Sequence, residues 1–287
     1  MSRVLAVDLG GTKTSIAAVD NAGRISDKQK IPAASNFGGS IEQIVPRPGI
    51  AAAGVIVPGI YDPQAGTAWA PNLWGRDFYP LRDVLEQRLG VPVAIGSDRT
   101  GSVLAEQWLG IARGFEHVLF VAVGTGIGVG ILFEGRPLEG AHGIAGAAGW
   151  MPVGGPWKPE YTERGCWESE AAGPALARRA GMATAKEVVA AARAGDAKAL
   201  TAVRETADYL AMGIAALIAV LDPEMVVLGG GLMQAGDLML ERIRRLALSW
   251  TQPVAARKVR VEATTLGEDA GLLGAGRLGW LRTGKKE

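Results

Sequence analysis

The feature that most limits the folds open to this chain is a hairpin that occurs twice. "RVLAVDLGGTKTSIAAVDNAGRI" (residues 3–25) reads as an apolar strand, a glycine-rich turn, a second apolar strand and a Gly-Arg turn, and "HVLFVAVGTGIGVGILFEGRPL" (117–138) has the same shape. Val4, Leu5, Val7 and Gly10 recur as Val118, Leu119, Val121 and Gly124, offset by about half the molecule. That offset is too long for a solenoid repeat. It predicts two similar lobes, each opening with a hairpin whose turn can face a shared cleft. A chain of 287 residues that is 48% hydrophobic and 21% charged has the material for such cores and is not disordered.

Between and after the hairpins, strand and helix patterns alternate. "AAAGVIVPG" and "VPVAIGSD" read as buried strands, and "PLRDVLEQRLG" has helical spacing with a glycine stop. "TGSVLAEQWLGIARG" reads as a helix capped by Thr100. The second half predicts helices over "WESEAAGPALARRAG", "TAKEVVAAARAG" and "DAKALTAVRETADYLAMGIAALIAVL", then a buried strand "DPEMVVLGGG", a helix, the strand "KVRVEATTL" and a final helix "EDAGLLGAGRLGWLR". Strands mixed with helices in this way make an α/β architecture.

Charge and composition exclude several function classes. Thirty basic against 29 acidic residues leave a net charge of +1, with no nucleic-acid or membrane signature. The single Cys166 rules out an internal disulfide framework and a Cys-rich metal site. The longest apolar run, 209–221, falls short of the roughly 20 residues a bilayer needs. With no signal-peptide pattern in "MSRVLAVDLGG", a cytoplasmic protein is expected.

Three glycine patches carry the chemistry. "DLGGTKT" fits neither G-x-x-x-x-G-K-[ST] nor G-x-G-x-x-G. Gly10 and Gly11 nevertheless let backbone amides approach phosphate oxygens, Thr12 adds a hydroxyl, Lys13 a charge, and Asp8 a carboxylate able to hold a hydrated Mg²⁺. Gly124, Thr125 and Gly126 form a second turn, and Gly229, Gly230 and Gly231 a third, after a buried strand. An ordered set of three such loops predicts a nucleotide held between two lobes. Asp98, just past a strand, reads equally as a base for a substrate hydroxyl or as a helix cap.

The order "DLGGTK … VPG … SD … GTGIG … GIAG … GCWE … LDPEMVVLGGG" resembles the ROK family of sugar kinases, within the actin-like ATPase superfamily. The resemblance covers nearly the whole chain. It implies two ribonuclease-H-like lobes with a cleft, an N-terminal lobe of residues 1–103 completed by a C-terminal helix at about 266–287, and a C-terminal lobe of residues 104–265. It also implies ATP with Mg²⁺ on the three loops, Asp98 as the base that deprotonates a sugar hydroxyl, usually on C6, and a homodimer.

Departures from the family pattern cluster at the sugar-binding positions. "SDRT" stands where the family reads Asn-Asp-Ala-Asn, so Ser97 and Thr100 replace asparagines. Ala147 replaces a sugar-binding glutamate, and Trp150 a histidine that would contact sugar and zinc. Pro159 and Tyr161 replace two zinc cysteines, which leaves Cys166 and predicts no zinc. Glu168 survives, either as a sugar ligand or as a carboxylate favoured at a helix start. Asn72, Ser97, Asp98, Trp150 and Glu168 are the expected substrate residues. Trp69, Trp74 and Trp157 lie in segments expected near the pocket, Trp167 is expected to pack, and His142 reads as structural or solvated.

The expected function is ATP-dependent phosphorylation of a hexose or an amino or N-acetyl sugar. The alternatives are a non-catalytic sensor on the same fold and an actin-like ATPase acting on a protein. A sensor is expected to lose its base or its phosphate loops, and this chain keeps both. With the first strand starting at about Arg3, no DNA-binding module is expected.

Overall fold

A strand without polar alternation must be covered on both faces. In β1 (Arg3–Leu9), Leu5, Val7 and Leu9 enter one core while Val4 and Ala6 enter another. The computed structural model describes residues 2–284. The chain divides into two units. The first runs through Arg113 and adds Glu139–Ile144 and the chain from Leu266 onward; the second comprises Gly114–Leu138 and Ala145–Thr265.

In the first unit, β2 (Lys13–Asp20) and β3 (Ile25–Pro32) extend β1 antiparallel, and β4 (Ile50–Val57) pairs with its other edge in parallel. A small antiparallel sheet of β5 (Ile60–Asp62), β6 (Thr67–Trp69) and β7 (Phe78–Tyr79) precedes β8 (Val93–Ser97), which closes the main order β3-β2-β1-β4-β8. The small sheet and the helix Phe37–Gln43 were not expected. Their elements are too short for a periodic pattern to register.

One face of this sheet is built from small residues, and the helix Ala270–Arg282 lies directly on it. A Cβ at Gly54 would stand 1.8 Å from the Ala275 carbonyl oxygen and 2.5 Å from the Gly279 nitrogen. A Cβ at Gly274 would stand 2.1 Å from the carbonyl oxygen of Gly101, in the helix Asp98–Leu109. Backbone therefore meets backbone at both crossings, with side chains such as Ile56, Trp108 and Leu272 filling the layer around them.

The second unit repeats the arrangement. β9 (Val118–Val123) and β10 (Ile127–Phe133) form the hairpin, β11 (Arg136–Pro137) extends it, and β12 (Met225–Gly229) and β13 (Arg260–Ala263) follow in parallel, in the order β11-β10-β9-β12-β13. Strand directions match the first sheet position by position, so the recurrence in the sequence extends to topology. Its core includes the 25-residue helix Ala197–Leu221. Trp167 is fully buried and packs on that helix at Gly213, where a Cβ would meet the indole at 2.2 Å.

Three local expectations change. The helix expected over "WESEAAGPALARRAG" is two helices, Cys166–Ala171 and Gly173–Ala180, broken at an extended Ala172. Ser97, not Thr100, caps the helix Asp98–Leu109: the Ser97 hydroxyl accepts the Thr100 amide at 3.1 Å. The final helix spans Ala270–Arg282, and residues 285–287 of the expected C-terminal segment lie outside those described. Among the described residues, no helix is long and apolar enough to cross a membrane.

Because the obstacles are backbone atoms, Gly54→Ala cannot be absorbed by a rotamer change. It is expected to destabilise the protein by about 3 kcal/mol or more, overpacking at the upper end of its usual range. That corresponds to a melting temperature lowered by roughly 6–12 °C, read by differential scanning calorimetry. Gly11→Ala, at an open turn position with no atom within 4 Å, should change it little.

Candidate active site

In the first unit the β1–β2 turn places Gly10, Gly11, Thr12 and Lys13 between the last paired residues, Leu9 and Thr14. The Gly10 amide donates to the Lys13 carbonyl at 3.0 Å, which closes the turn and leaves Gly11, Thr12 and Lys13 exposed. Asp8 lies one residue before the end of β1. Its carboxylate rests against Gly271 in the first turn of the helix Ala270–Arg282, where a Cβ would be 2.3 Å from Oδ2. Glycine at 271 is thus what admits the Asp8 side chain. The helix is held to the hairpin side by Lys28–Asp269 and by Lys30–Glu268 at 2.7 Å.

Two carboxylates share this region. Burial pushes the Asp8 carboxyl up to about 6, the charge of Asp98 adds to the rise, and Lys13 opposes it. Burial also raises Asp98, against the favourable Arg99 side chain and amide. The Asp98 side chain still reaches solvent, so it occupies a recess rather than the interior. One of its oxygens accepts the Arg99 amide at 2.9 Å. Ser97, its neighbour, is buried and engages Thr100 through both the amide and the hydroxyl, at 3.1 and 3.0 Å. The cap therefore belongs to Ser97, and the Asp98 carboxylate is not the group that closes the helix.

In the second unit the β9–β10 turn is shorter, with Gly124, Thr125 and Gly126 between Val123 and Ile127. The Gly124 amide donates to the Gly126 carbonyl at 2.9 Å, and the Gly124 carbonyl accepts the Gly173 amide at 2.8 Å. Gly230, at φ 87°, lies so close to β9 that a Cβ would be 2.4 Å from the Val123 carbonyl oxygen. That approach brings the glycines after β12 beside the β9–β10 turn. A cavity of about 700 Å³ opens there, lined by Gly124, Thr125, Gly173, Pro174, Ala183 to Lys186, Val189, Arg193, Gly231 and Gln234, among others. Gly231 and Gly124 leave open space toward it. Its mix of apolar side chains with glycine amides suits a flat heterocycle carrying an anionic tail. The wall formed by residues 173–193 was not anticipated, and a Gly-Pro pair opening a helix was its one sequence signal.

Glu168 sits in the first turn of the helix Cys166–Ala171, and its Oε2 accepts the Ile127 amide at 2.8 Å. Burial raises its pKa, against the Ile127 amide and Arg164. Cβ atoms at Gly126 and Gly149 would stand 2.6 and 3.1 Å from Oε2, so the carboxylate fills the space those glycines leave. Trp150 is 56% exposed, and Asn72 and His142 are also exposed. Of the other tryptophans, Trp74 is buried with its Nε1 donating to Ser40 Oγ at 2.9 Å, Trp69 donates to the Arg76 carbonyl at 3.2 Å, and Trp157 is 68% exposed. Trp167 packs, donating to the Tyr209 carbonyl at 2.9 Å. Cys166 is buried and accepts the Val153 amide at 3.5 Å, while Tyr161 donates its hydroxyl to Glu170. No group of three or more His, Cys, Asp or Glu suited to a metal ion occurs among the described residues.

The family profile named ROK family matches residues 4–280. The chain belongs to the ROK family. This ROK protein is 34% identical over 313 residues to a glucokinase of Halalkalibacterium halodurans, across 96% of this chain and 93% of that one. A ROK hexokinase structure from Thermus thermophilus matches with a TM-score of 0.84 at 32% identity, covering 98% of this chain and 99% of that chain. A ROK family glucokinase from Streptomyces griseus, solved in complex with glucose and AMPPNP, matches with a TM-score of 0.80 at 30% identity, covering 98% of this chain and 100% of that chain. The α/β fold with two ribonuclease-H-like lobes is that of these ROK structures.

The raised Asp8 carboxyl has a stability consequence of definite sign. The fold favours its protonated form, so this contribution is present below about pH 4 and is lost as pH rises through about 6. Asp8→Asn removes the strained charge. At pH 8 the variant should melt ~2–6 °C above the parent, equivalent to roughly 1–2 kcal/mol. At pH 4.5 the two should melt nearly together. Calorimetry at both values reads the difference, and equal melting at pH 8 would contradict the assignment.

Proposed function

We propose that this ROK protein is a cytoplasmic, ATP-dependent sugar kinase. The observation that carries the reading is Asp98. Its carboxylate reaches solvent, is raised by burial and is relieved of capping by Ser97, which leaves it available as a general base. In this reading the second unit binds the donor: the apolar wall receives adenosine, and the amides of Gly124 to Gly126 and Gly229 to Gly231, with Thr125, receive phosphate. In the first unit, Lys13 and the amides of Gly10 to Thr12 add phosphate contacts.

Asp8 fits a magnesium site held through water, because it is a carboxylate pushed up by burial and a like-charged neighbour that Lys13 only partly offsets. Mg²⁺, when bound, supplies positive charge for the β- and γ-phosphate oxygens. Asp98 takes the proton of the acceptor hydroxyl, expected on C6, as that oxygen forms its bond to the γ-phosphorus and ADP leaves. Raised basicity suits this step, since a base works best with a pKa near the operating pH.

The acceptor is a hexose or an amino or N-acetyl sugar, with Glu168, Asn72, Ser97 and Trp150 as its proposed contacts. Ala147 provides no carboxylate and Trp150 no imidazole, so the preference among sugars need not be that of the glucokinases it resembles. Zinc has no place in the reading: Tyr161 and Cys166 make other contacts, and Trp150 offers no ligand.

A coupled ADP-release assay over hexoses, amino sugars, N-acetyl sugars, ketoses and polyols tests the proposal. At least one sugar should raise ATP turnover well above background; none doing so would leave a non-catalytic sensor as the better reading. With the best acceptor, Asp98→Asn should lower kcat by about 10²–10⁴-fold, the range for a lost general base, with the ATP KM changed by less than threefold. Activity of the parent should rise with pH as Asp98 ionises. Metal analysis of the purified protein should find no stoichiometric zinc.

A further inference from the structure

Three separate segments of the second unit end at the Gly124–Ile127 turn or at the helix beside it. The helix Cys166–Ala171 sends Glu168 to the Ile127 amide at 2.8 Å. The helix Gly173–Ala180 sends the Gly173 amide to the Gly124 carbonyl at 2.8 Å. The segment between Met151 and Gly165 runs alongside: the Met151 carbonyl accepts the Trp167 amide at 3.0 Å, and the Val153 amide donates to Cys166.

One buried side chain joins all three. Glu170 is 4% exposed and lies two residues beyond Glu168. Its Oε1 accepts Lys158 Nζ at 2.5 Å and the Tyr161 hydroxyl at 2.6 Å, both from the flanking segment. Its Oε2 accepts Arg179 Nη2 at 2.8 Å, and its carbonyl accepts Arg179 Nη1. Arg179 belongs to the helix that opens with Gly173, and it is fixed further by Thr206 Oγ1 at 3.1 Å and by stacking on Tyr209. Burial alone would push the Glu170 carboxyl up, yet these donors bring it below the usual range, so it is a charged hub. Tyr161 stands at one of the positions where the family resemblance calls for a zinc cysteine, and its hydroxyl belongs to this hub.

We propose that the cluster of Glu170 with Lys158, Tyr161 and Arg179 is a positioning device for the Gly124–Ile127 turn. Glu170 acts by holding two helices: its own, which carries Glu168 to the Ile127 amide, and through Arg179 the one whose first residue, Gly173, bonds the Gly124 carbonyl. A buried ion pair is a weak source of net stability, and setting register is its better attested use. The kinetic part of the proposal rests on the kinase reading; the structural part does not.

Hydrogen exchange of the Ile127 amide is the activity-independent readout. In Glu170→Gln that amide should exchange about 10-fold faster or more, as in Glu168→Ala, while the amides of Val118–Val123 keep their protection. If Glu170→Gln does not fold, Tyr161→Phe takes its place, and a smaller change in the same amide is expected. Unchanged Ile127 exchange with a lowered melting temperature would overturn the proposal and leave the cluster a plain stability element.

Kinetics supply the second arm. Glu170→Gln should lower kcat/KM for the acceptor by about 10–100-fold, the loss associated with a misplaced site. On the Glu168→Ala background the part of that loss carried through Glu168 should disappear, because residues acting through one another are not additive. Full additivity would overturn the coupling. A parent protein without sugar-dependent turnover would refute the kinase reading, and the exchange result would still decide the role of the cluster.

Discussion

Direct backbone contact through glycine is the constraint on which the first unit depends. The helix Ala270–Arg282 can lie on β4 and cross the helix Asp98–Leu109 only because Gly54 and Gly274 present no side chain at the crossings. The Asp8 and Asp98 carboxylates are both placed by this stack. Asp8 fits against Gly271 at the start of one helix, and Asp98 opens the other. Two like charges then share a partly desolvated region. The fold thus carries an electrostatic cost that a cation or a proton can relieve.

The second unit fixes its turn by a different means. Glycine gives room there too, at Gly126, Gly149 and Gly230, but the space is filled by the Glu168 carboxylate or by the carbonyl of Val123. Position comes from hydrogen bonds at both ends of the turn, at Gly124 and Ile127, and these bonds arrive from two helices separated by the single extended residue Ala172. A continuous helix over that stretch would point Glu168 and Gly173 along one axis; the break lets them address the turn from two directions.

What could be read from the sequence was whatever is encoded in consecutive residues. The paired hairpins, the glycine turns and the strand leading to Asp98 each occupy one short stretch, and the structure has those elements in place. The cap is ambiguous in the sequence because Ser97 and Thr100 both carry hydroxyls at the right spacing, and only backbone geometry separates the residue that accepts from the one that donates. The cavity wall of residues 173–193 was illegible for another reason: alanines and valines on a helix look the same whether they face a core or an open pocket. Glu170 was passed over because its partners come from positions 158, 161 and 179, and no local pattern marks a carboxylate whose burial is made tolerable by residues from three segments.

The two sheets share their order, yet their first turns differ by one residue. Four residues separate the paired ends of β1 and β2, and three separate those of β9 and β10. The longer turn carries Lys13; the shorter one closes on Gly126 and has no side chain longer than that of Thr125. A duplicated framework has thus given rise to two unequal tips, one charged and reaching, the other flat and made almost wholly of main chain. Symmetry survives in the strand order and is broken at the tips of the two hairpins, so the two halves of this chain present chemically different ends from the same scaffold.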